Sequence, residues 1–396
     1  MGRRVADAAR GSTKKAAPAR PAADFGLSPR GGAAITGAPM KILVIALAGI
    51  GDALIATPLL RELRANFPAA AIDALVFWAG SRELLTGNPN LRRIHQCNAF
   101  EVGPPAFLRF ILGLRQERYD VTLNTHPQSK LEYRVIARLI GAPVRLSHRY
   151  DNASCLDELC CTHLLDQDYT LHSADNNLRL LALLGQRPLL ATHQLEIFPT
   201  DAETAAARAI AETHQLGARR VLGVHVGSGK TKNLRMKRWP LENFITLIRR
   251  LTAERPELTV LLFGGPEERE ENARVLAEAA HPNLIAPKTR SIREAAALMR
   301  HCGAFLSVDN AMMHFAAAMR VPKQILIESM AFGPTLEPYG RPYRLVPNPA
   351  VHGRNLDYYR YDGKGIRGTE EELRRIMAAV TVDAVFAAVS EELDRR

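Results

Sequence analysis

An aspartate stands where the first predicted strand gives way to a helix. The apolar run Lys41–Leu47 predicts a buried strand, and Asp52 follows it after the turn Gly49–Gly51. A carboxylate at a strand end can remove a proton from a hydroxyl, which is general-base chemistry. In the first turn of a helix it can equally serve only to stabilise the helix dipole. The turn is not a dinucleotide fingerprint, because Leu54 occupies the position of the third glycine.

A cluster of positive charge follows a strand in the second half of the chain. Five cations lie within nine residues after the predicted strand Val221–Val226, and they are Lys230, Lys232, Arg235, Lys237 and Arg238. The segment is not a Walker motif, because Val224 stands where the first glycine of that motif would be. At a strand end the cluster predicts a diphosphate clamp that offsets the charge of a departing nucleotide. A solvated face is the alternative interpretation.

A third candidate is the helix predicted to begin after the strand Ala304–Val308. Asp309 is expected to cap this helix, which should continue through Met319. Backbone N–H groups at a helix N-terminus bind phosphate groups. His314, one turn into the helix, could reach the same ligand or could be an ordinary core residue.

These candidates lie on two halves of the chain that share one plan. From Met40 short apolar runs alternate with amphipathic stretches, and the pattern restarts near Pro199. Each half therefore predicts a Rossmann-like, doubly wound α/β domain, with a ligand crevice between the two. The predicted boundaries are a disordered basic tail at 1–39, an N-terminal domain at 40–198, a C-terminal domain at 199–368 and a C-terminal helix at 369–396 that packs back toward the N-terminal domain.

The composition is that of a globular protein. Of 396 residues, 47% are hydrophobic, and no run reaches the roughly 18 apolar residues of a membrane span. Residues 1–39 carry seven Lys or Arg and two Asp within a net charge of +11 for the chain. Such a tail predicts either contact with an anionic membrane surface or a solvated extension. The five cysteines lack metal-binding spacing, and no metal, cofactor or nucleic-acid partner is expected.

Four short motifs, in order, resemble glycosyltransferase family 9, the family of the ADP-heptose:lipopolysaccharide heptosyltransferases. The resemblance spans most of Met40 to Leu393. The motifs are Gly51-Asp52 with Thr57-Pro58, then Lys237-Arg238-Trp239-Pro240, then Gly264-Gly265-Pro266-Glu267-Glu268, then Asp309 to His314 followed by Ala316–Ala318 and Val321-Pro322. Two positions depart from the family pattern. Ala311 replaces a usual glycine, and Ile327–Met330 occupies the place of a Phe-Gly-Pro-Thr element that appears later, at Phe332–Thr335.

The resemblance implies a GT-B fold, with the acceptor bound by the N-terminal domain and the nucleotide-sugar by the C-terminal domain. It implies that Asp52 is the catalytic base and that Lys237 contacts the phosphate and sugar. Glu268 is implied as the ribose contact. The other implied nucleotide-sugar contacts are Gly51, Thr57, Lys230, Arg238, Asp309, Asn310, Ala311, Met312 and His314.

The expected reaction is an inverting, metal-independent sugar transfer, with heptose moved from ADP-heptose to a lipopolysaccharide or related surface-glycan acceptor. The expected partners are the nucleotide-sugar donor and a glycolipid or polysaccharide acceptor. The expected location is cytoplasmic, with peripheral attachment to the inner membrane. Two alternatives stay open. A nucleotide-sugar isomerase or hydrolase of the same fold would act without a carbohydrate acceptor, and a non-catalytic nucleotide-sugar-binding protein would tolerate the loss of Asp52.

Overall fold

The chain folds into two α/β domains, each built on a sheet of six strands within the residues described. The computed structural model describes residues 39–229, 231–360 and 362–395, so the predicted tail lies outside the described residues except for Pro39. The first sheet consists of β1 (Lys41–Ala46), β2 (Ala71–Val76), β3 (Arg93–Gln96), β4 (Val121–Asn124), β5 (Val144–Arg149) and β6 (His163–Asp166). The second consists of β7 (Arg220–His225), β8 (Leu258–Phe263), β9 (Leu284–Ile285), β10 (Ala304–Ser307), β11 (Lys323–Ile327) and β12 (Tyr343–Val346).

Both sheets have the same strand order. The first runs β3-β2-β1-β4-β5-β6 and the second β9-β8-β7-β10-β11-β12, with every neighbouring pair parallel. This is the doubly wound order, in which crossover helices cover both faces of the sheet. Strand β8 is accordingly buried along its whole length. The predicted fold class is confirmed, and the three strands predicted above agree with β1, β7 and β10 to within one residue at each end.

Helices connect the strands and cover the sheets. Those of the first domain are α1 (Ile50–Ile55), α2 (Thr57–Asn66), α3 (Ala79–Leu85), α4 (Ala99–Val102), α5 (Pro104–Gly113), α6 (Leu131–Ile140), α7 (Cys155–Cys160) and α8 (Ser173–Arg179). The later helices are α9 (Asp201–Thr213), α10 (Leu241–Glu254), α11 (Arg269–Glu278), α12 (Ile292–Met299), α13 (Ala311–Ala318), α14 (Asn355–Tyr358), α15 (Glu370–Ala378) and α16 (Val382–Asp394). Short 3₁₀ turns span Leu114–Glu117, Leu180–Leu184, Leu216–Ala218, Thr231–Lys237 and Pro266–Glu268. Among the described residues, no helix is long and apolar enough to cross a membrane.

The cap of α13 differs from the prediction. Asn310, not Asp309, precedes the helix as its N-cap, and its side-chain oxygen accepts hydrogen bonds from the N–H groups of Met312 (2.9 Å) and Met313 (3.1 Å). The helix ends at Ala318, one residue before the predicted end. Asp309 does not cap the helix because its carboxylate is engaged in a buried ion pair, described below.

The C-terminal segment also differs from the prediction. One helix was expected to cross back toward the first domain, whereas the structure has two, α15 and α16, separated by a turn with Thr381 as the second N-cap. Their apolar faces belong to the core of the second domain, where Val385 and Val389 share a cluster with Phe244 of α10. The buried indole of Trp239 holds this turn, because its N–H donates to the carbonyl of Val380 at 2.8 Å.

The two domains share an apolar interface. One hydrophobic cluster contains Leu54 and Leu59 of the first domain together with Phe263, Phe305 and Ala316 of the second. Helix α1 of the first domain packs against α13 of the second, and α3 packs against α12. The C-terminal ends of β1 and β10, which precede α1 and α13, therefore meet across the interface.

Candidate active site between the domains

Asp52 lies in the first turn of α1 and is half-buried. Its Oδ2 accepts a hydrogen bond from the backbone N–H of Gly49 at 2.7 Å. Gly49 is the N-cap residue and has no side chain with which to cap the helix. The carboxylate of Asp52, in the first turn of α1, binds the N–H of Gly49 and so stabilises the start of the helix. This bond accounts for Asp52 as a helix-capping residue. The neighbouring Gly51 is the residue at which α1 contacts α13.

A buried amide fixes the strand end that carries Asp52. Gln128 accepts a hydrogen bond from the N–H of Leu47 (3.1 Å) and donates to the carbonyl of Ile45 (2.5 Å). Its own N–H donates to the hydroxyl of Tyr150 at 2.9 Å. Gln128 is 1% exposed, so these bonds are shielded from water and hold the end of β1 at a set position.

The second domain contributes a buried ion pair. The Nζ of Lys237 donates to Oδ2 of Asp309 at 2.7 Å and to the backbone carbonyl of Asp309 at 2.6 Å. The hydroxyl of Ser329, at the end of β11, donates to the other carboxylate oxygen of Asp309. Lys237 and Asp309 are 7% and 2% exposed. An ammonium has three N–H donors, and these contacts use two of them.

A second polar network lies beside the ion pair. The amide of Asn310 donates to the carbonyl of Gly227 at 3.0 Å and lies 3.1 Å from Nδ1 of His225. Glu268 accepts a hydrogen bond from the N–H of Gly265 at 3.0 Å, with His225 3.8 Å away on the same carboxylate oxygen. Burial raises the pKa of Glu268, but the bonds and charge from His225, the Gly265 N–H and Arg238 outweigh it, so its pKa is below the usual value.

Gly227 has to be a glycine for Glu268 to take this position. A Cβ at residue 227 would lie 2.3 Å from Oε1 of Glu268, well inside van der Waals contact. The carboxylate therefore packs directly against the backbone that follows β7. This places Glu268 where the carbonyl of Gly227 and the cap of α13 also converge.

The described side chains of the predicted cation cluster take different partners. Lys237 turns toward α13, whereas the guanidinium of Arg238 pairs with Glu271 at 2.6 Å and Glu268 at 3.5 Å. Arg235 is exposed and pairs with Glu370 at 3.2 Å. Lys230 lies outside the described residues, as does the side chain of Lys232. Arg235 and Arg238 thus pair with nearby glutamates, and their part in a diphosphate clamp stays a prediction.

The two halves of the site approach each other at Gly51. A Cβ at this position would lie 3.3 Å from the Cα of Ala311 and 3.3 Å from the ring of His314, which is tighter than most contacts. The absence of a side chain at Gly51 therefore permits the close approach of α1 and α13. Ala311, the departure from the family pattern, lies in this contact.

Two tyrosines near the carboxylates were not predicted. Burial raises the pKa of Tyr359, and the negative charges of Asp52 and Asp309 raise it further. Burial likewise raises the pKa of Tyr133 on α6 to about 12, with an added effect of Asp52. One phenol thus senses both carboxylates, which shows that Asp52 and Asp309 lie in one electrostatic neighbourhood. Nothing in their spacing along the chain indicates this.

His314 is a buried neutral residue. Burial, with the charges of His172 and Lys237, lowers its pKa to about 3. Its ring lies 6.3 Å from that of His172, measured between centroids. His172 itself donates from Nε2 to the carbonyl of Glu337 at 2.9 Å and accepts the N–H of Ala174 on Nδ1, which fixes its tautomer.

The hydroxyl of Thr57 is bonded to backbone groups. Its hydroxyl donates to the carbonyl of Leu54 at 2.7 Å and accepts the N–H of Glu196 at 3.0 Å. The residue is fully buried at the junction of α1 and α2. These bonds give Thr57 a role in joining the helices and the interdomain segment, and no part in the network around Lys237.

The displaced Phe-Gly-Pro-Thr element also has a structural place. Ser329 stands in the segment that occupies its usual position and reaches Asp309. The later Thr335 accepts, through its carbonyl, the N–H (3.0 Å) and hydroxyl (2.7 Å) of Ser173 at the start of α8. The element thus ties the second domain to the first.

Within the described part of the chain, no group of three or more His, Cys, Asp or Glu is arranged to hold a metal ion.

Curated relatives match this chain at moderate identity. Lipopolysaccharide heptosyltransferase 3 of Escherichia coli is 26% identical over 310 residues, covering 74% of this chain and 83% of the relative. Lipopolysaccharide heptosyltransferase 2 of Salmonella typhimurium is 26% identical over 333 residues, covering 78% and 88%.

Solved structures show the same fold. A glycosyl transferase family 9 protein from Veillonella parvula superimposes with a TM-score of 0.70 at 20% identity, covering 89% of this chain and 97% of that one. The ADP-heptose lps heptosyltransferase II of E. coli gives a TM-score of 0.64 at 20% identity, covering 89% and 98%. The GT-B arrangement of the two domains is therefore confirmed.

A family model decides the classification. The model of glycosyltransferase family 9 (heptosyltransferase) matches residues 107–343, which is more than half of the chain. Asp52 lies before the matched residues, so its assignment depends on the geometry described above. The predicted resemblance is confirmed, and with it the prediction that the protein is a glycosyltransferase. The chain belongs to glycosyltransferase family 9.

Proposed function

We propose that this glycosyltransferase transfers heptose from ADP-heptose to a lipopolysaccharide acceptor, with inversion at the anomeric carbon and without a metal ion. The observation that supports the mechanism is the contact of Gly51, next to Asp52, with Ala311, two residues after Asp309 of the buried Lys237–Asp309 pair. The relatives' names supply the sugar and the acceptor class.

In the proposed step, Asp52 takes the proton of an acceptor hydroxyl as its oxygen attacks the anomeric carbon. A new carbon–oxygen bond forms on one face, the bond to the diphosphate breaks on the other, and the nucleoside diphosphate leaves with the electron pair. Lys237 supports the growing negative charge with its remaining N–H donor. Attack from the opposite face inverts the anomeric centre.

The N-terminus of α13 offers fewer donors than the sequence indicated. Asn310 already occupies the N–H groups of Met312 and Met313. We therefore assign the backbone contact to the N–H groups of Asn310 and Ala311, which precede them and have no partner within the helix. Glu268 is assigned to the ribose hydroxyls, because a buried carboxylate with a lowered pKa stays ionised and accepts hydrogen bonds.

The proposed acceptor is a glycolipid, so the proposal places the protein at the cytoplasmic face of the inner membrane as a peripheral protein. The predicted basic tail, whose residues lie outside the description apart from Pro39, is one route to that surface.

The proposal is tested by incubating the protein with ADP-heptose, with and without a heptose-deficient lipopolysaccharide, in EDTA. Acceptor-dependent release of ADP, with an inverted linkage in the product NMR spectrum, is the expected result. Release of ADP or an altered sugar without acceptor would indicate a hydrolase or isomerase. A strict need for added Mg²⁺ or Mn²⁺ would contradict the metal-free step, and binding without turnover would indicate a non-catalytic binding protein.

A further inference from the structure

Exposed apolar side chains are concentrated on one layer of the first domain. Among the described residues, nine large hydrophobic side chains are exposed, and seven of them lie on α4 to α7. The seven are Phe100, Val102, Leu108, Leu112, Val135, Leu156 and Leu159. The other two are Leu189, which lies in a loop, and Leu356, which lies on α14 of the second domain. Such a concentration marks an interaction surface rather than the scattered exposure of ordinary surfaces.

These four helices form one continuous surface, because α4 packs on α5, α5 on α6 and α6 on α7. The inner sides of α5 and α6 are already buried: Ile111, Ala137 and Ile140 belong to one cluster with strands of the first sheet. The exposed side chains are therefore in excess of what the core needs. Phe100 shows this most clearly, since it is 84% exposed.

The charges on the α4–α5 part of this layer favour an anionic occupant. The only acidic residue of these two helices is Glu101, whose carboxylate accepts from the amide of Asn98 at 2.9 Å, whereas α6 and α7 also expose Glu132 and Glu158. Exposed arginines border the apolar side chains at positions 109, 115, 118 and 138. Lipid-interface helices combine large apolar side chains with Arg or Lys in this way. A second copy of the chain would oppose these arginines to each other, which is unfavourable.

The layer lies on the side of the domain that carries the proposed base. Helices α4, α6 and α7 begin after the C-terminal ends of β3, β4 and β5, the same sheet edge at which β1 leads to Asp52. Tyr133, on α6, is close enough for Asp52 to raise its pKa. A surface seated here on a bilayer would bring the first-domain half of the site to a lipid-anchored acceptor.

We infer that the α4–α7 layer docks on an anionic lipid bilayer, with Phe100, Leu108 and Leu112 inserted among the acyl chains and the arginines contacting headgroup phosphates. The identity of the acceptor rests on the proposed function, whereas docking itself does not.

The test is co-sedimentation of the full-length chain with vesicles of phosphatidylethanolamine and phosphatidylglycerol. The triple variant Phe100→Ser/Leu108→Ser/Leu112→Ser should lose at least about tenfold in apparent partition coefficient, because three large apolar groups leave the interface. The matched control, Leu189→Ser/Leu356→Ser, also replaces exposed leucines and should bind like the parent. Both variants keep residues 1–39, so any difference between them belongs to the layer. Circular dichroism and thermal unfolding establish that both are folded.

A second variant separates the charge from the apolar part. Arg109→Glu/Arg115→Glu should weaken binding to the anionic vesicles and reduce its salt dependence, without changing the weak binding to phosphatidylcholine. Equal binding of the triple variant and the parent would overturn the inference. So would a parent that binds no vesicles and forms a dimer that the triple variant disrupts. Heptose transfer to a soluble, lipid-free acceptor should be equal in all variants, and its failure in the parent would contradict only the proposed function.

Discussion

The two halves of the site differ in how their charged groups are held. Asp309 and Lys237 in the second domain are nearly inaccessible to solvent. The ammonium of Lys237 donates to the carboxylate and the carbonyl of Asp309, and the hydroxyl of Ser329 donates to the other carboxylate oxygen. Asp52 in the first domain is half-buried and is held by the backbone N–H of its own helix start. The second-domain half is therefore preorganised, whereas the carboxylate of the first-domain half is only half-buried.

This difference matches the two tasks of a sugar transfer. A leaving diphosphate is stabilised best by charges that need no rearrangement at the moment of reaction. A base must be reached by a hydroxyl that arrives from solvent or from a membrane, so it cannot be buried in the same way. We expect substitutions in the first-domain half to change turnover alone, and substitutions in the second-domain half to change stability, donor binding and turnover together.

The largest expected effect is that of Asp52→Asn. Asparagine keeps an oxygen that can accept the Gly49 N–H, so the helix start should survive, but it cannot take a proton at neutral pH. We expect kcat to fall by a factor of about 10²–10⁴. Donor affinity by titration calorimetry and the midpoint of thermal unfolding should stay unchanged. Near-normal turnover would remove Asp52 from the mechanism, and a loss of stability would show that helix capping is its main role.

Lys237→Ala should lower the stability of the protein, its affinity for the donor and its turnover. Removing one member of a buried ion pair leaves the other charge uncompensated, which costs about 3–5 kcal/mol in the free energy of unfolding. Donor affinity and kcat should fall as well, because the same cation supports the diphosphate before and during its departure.

The matched control for Lys237 is Arg235→Ala, in the same 3₁₀ turn. Arg235 is exposed and pairs with Glu370, and exposed pairs contribute about 0–1 kcal/mol. Urea unfolding and calorimetry of both variants check the contrast. Equal effects of the two substitutions would mean that the turn as a whole, and not the buried pair, determines donor binding.

The fold could be predicted from the sequence because its signals are local. Apolar runs, amphipathic stretches and glycine turns alternate along each half, and their period identifies strands and helices. The partners within the site could not be predicted in the same way. Lys237 and Asp309 are 72 residues apart, and nothing in the cation run shows that Lys237, rather than Arg235 or Arg238, binds Asp309.

Two positions show what local patterns leave open. Asp309 and Asn310 are both good helix caps, and tertiary contacts with Lys237 and Ser329 decide that Asn310 takes the role. Thr57 belongs to a motif of the family, and its hydroxyl bonds the backbone groups of Leu54 and Glu196, so its contact with the nucleotide-sugar stays a prediction. A motif gives the position of a residue in the chain, but the direction of its side chain depends on the packing around it.

Gly51→Ala should have a smaller effect on kcat/KM, because it changes the contact between the two halves of the site. Its added methyl group would lie 3.3 Å from the Cα of Ala311 and from the ring of His314, so the contact between α1 and α13 must widen slightly. We expect kcat/KM to fall by roughly tenfold, because reacting groups misplaced by a fraction of an ångström lose effective concentration. Steady-state kinetics of Gly51→Ala, with Ala311→Gly added to relieve part of the crowding, measures the coupling. Strict additivity of the two changes would mean that the helices do not constrain each other.

The smallest expected effect is on the pH dependence of the free energy of unfolding. It tests whether the buried ring of His314 stays unprotonated in the folded protein. The pKa of His314 is lowered to about 3 in the folded protein, mainly by burial, from an unfolded value near 6.5. Above pH 6.5 His314 is neutral in both the folded and the unfolded protein, so its protonation takes nothing from the free energy of unfolding there. As the pH falls from 6.5 toward 3, the unfolded chain binds a proton that the native ring does not, and stability is lost by up to about 1.4 kcal/mol per pH unit.

Urea unfolding of the parent and of His314→Asn between pH 7 and pH 5 measures this contribution. The variant should lose less stability on acidification than the parent, whatever its stability at pH 7. His352→Asn is the matched control, because His352 is exposed and asparagine tolerates its left-handed backbone conformation. The control should keep the slope of the parent. Parallel curves for all three proteins would mean that the ring of His314 can be protonated inside the folded protein, and that the second-domain half is more open to water than its burial indicates.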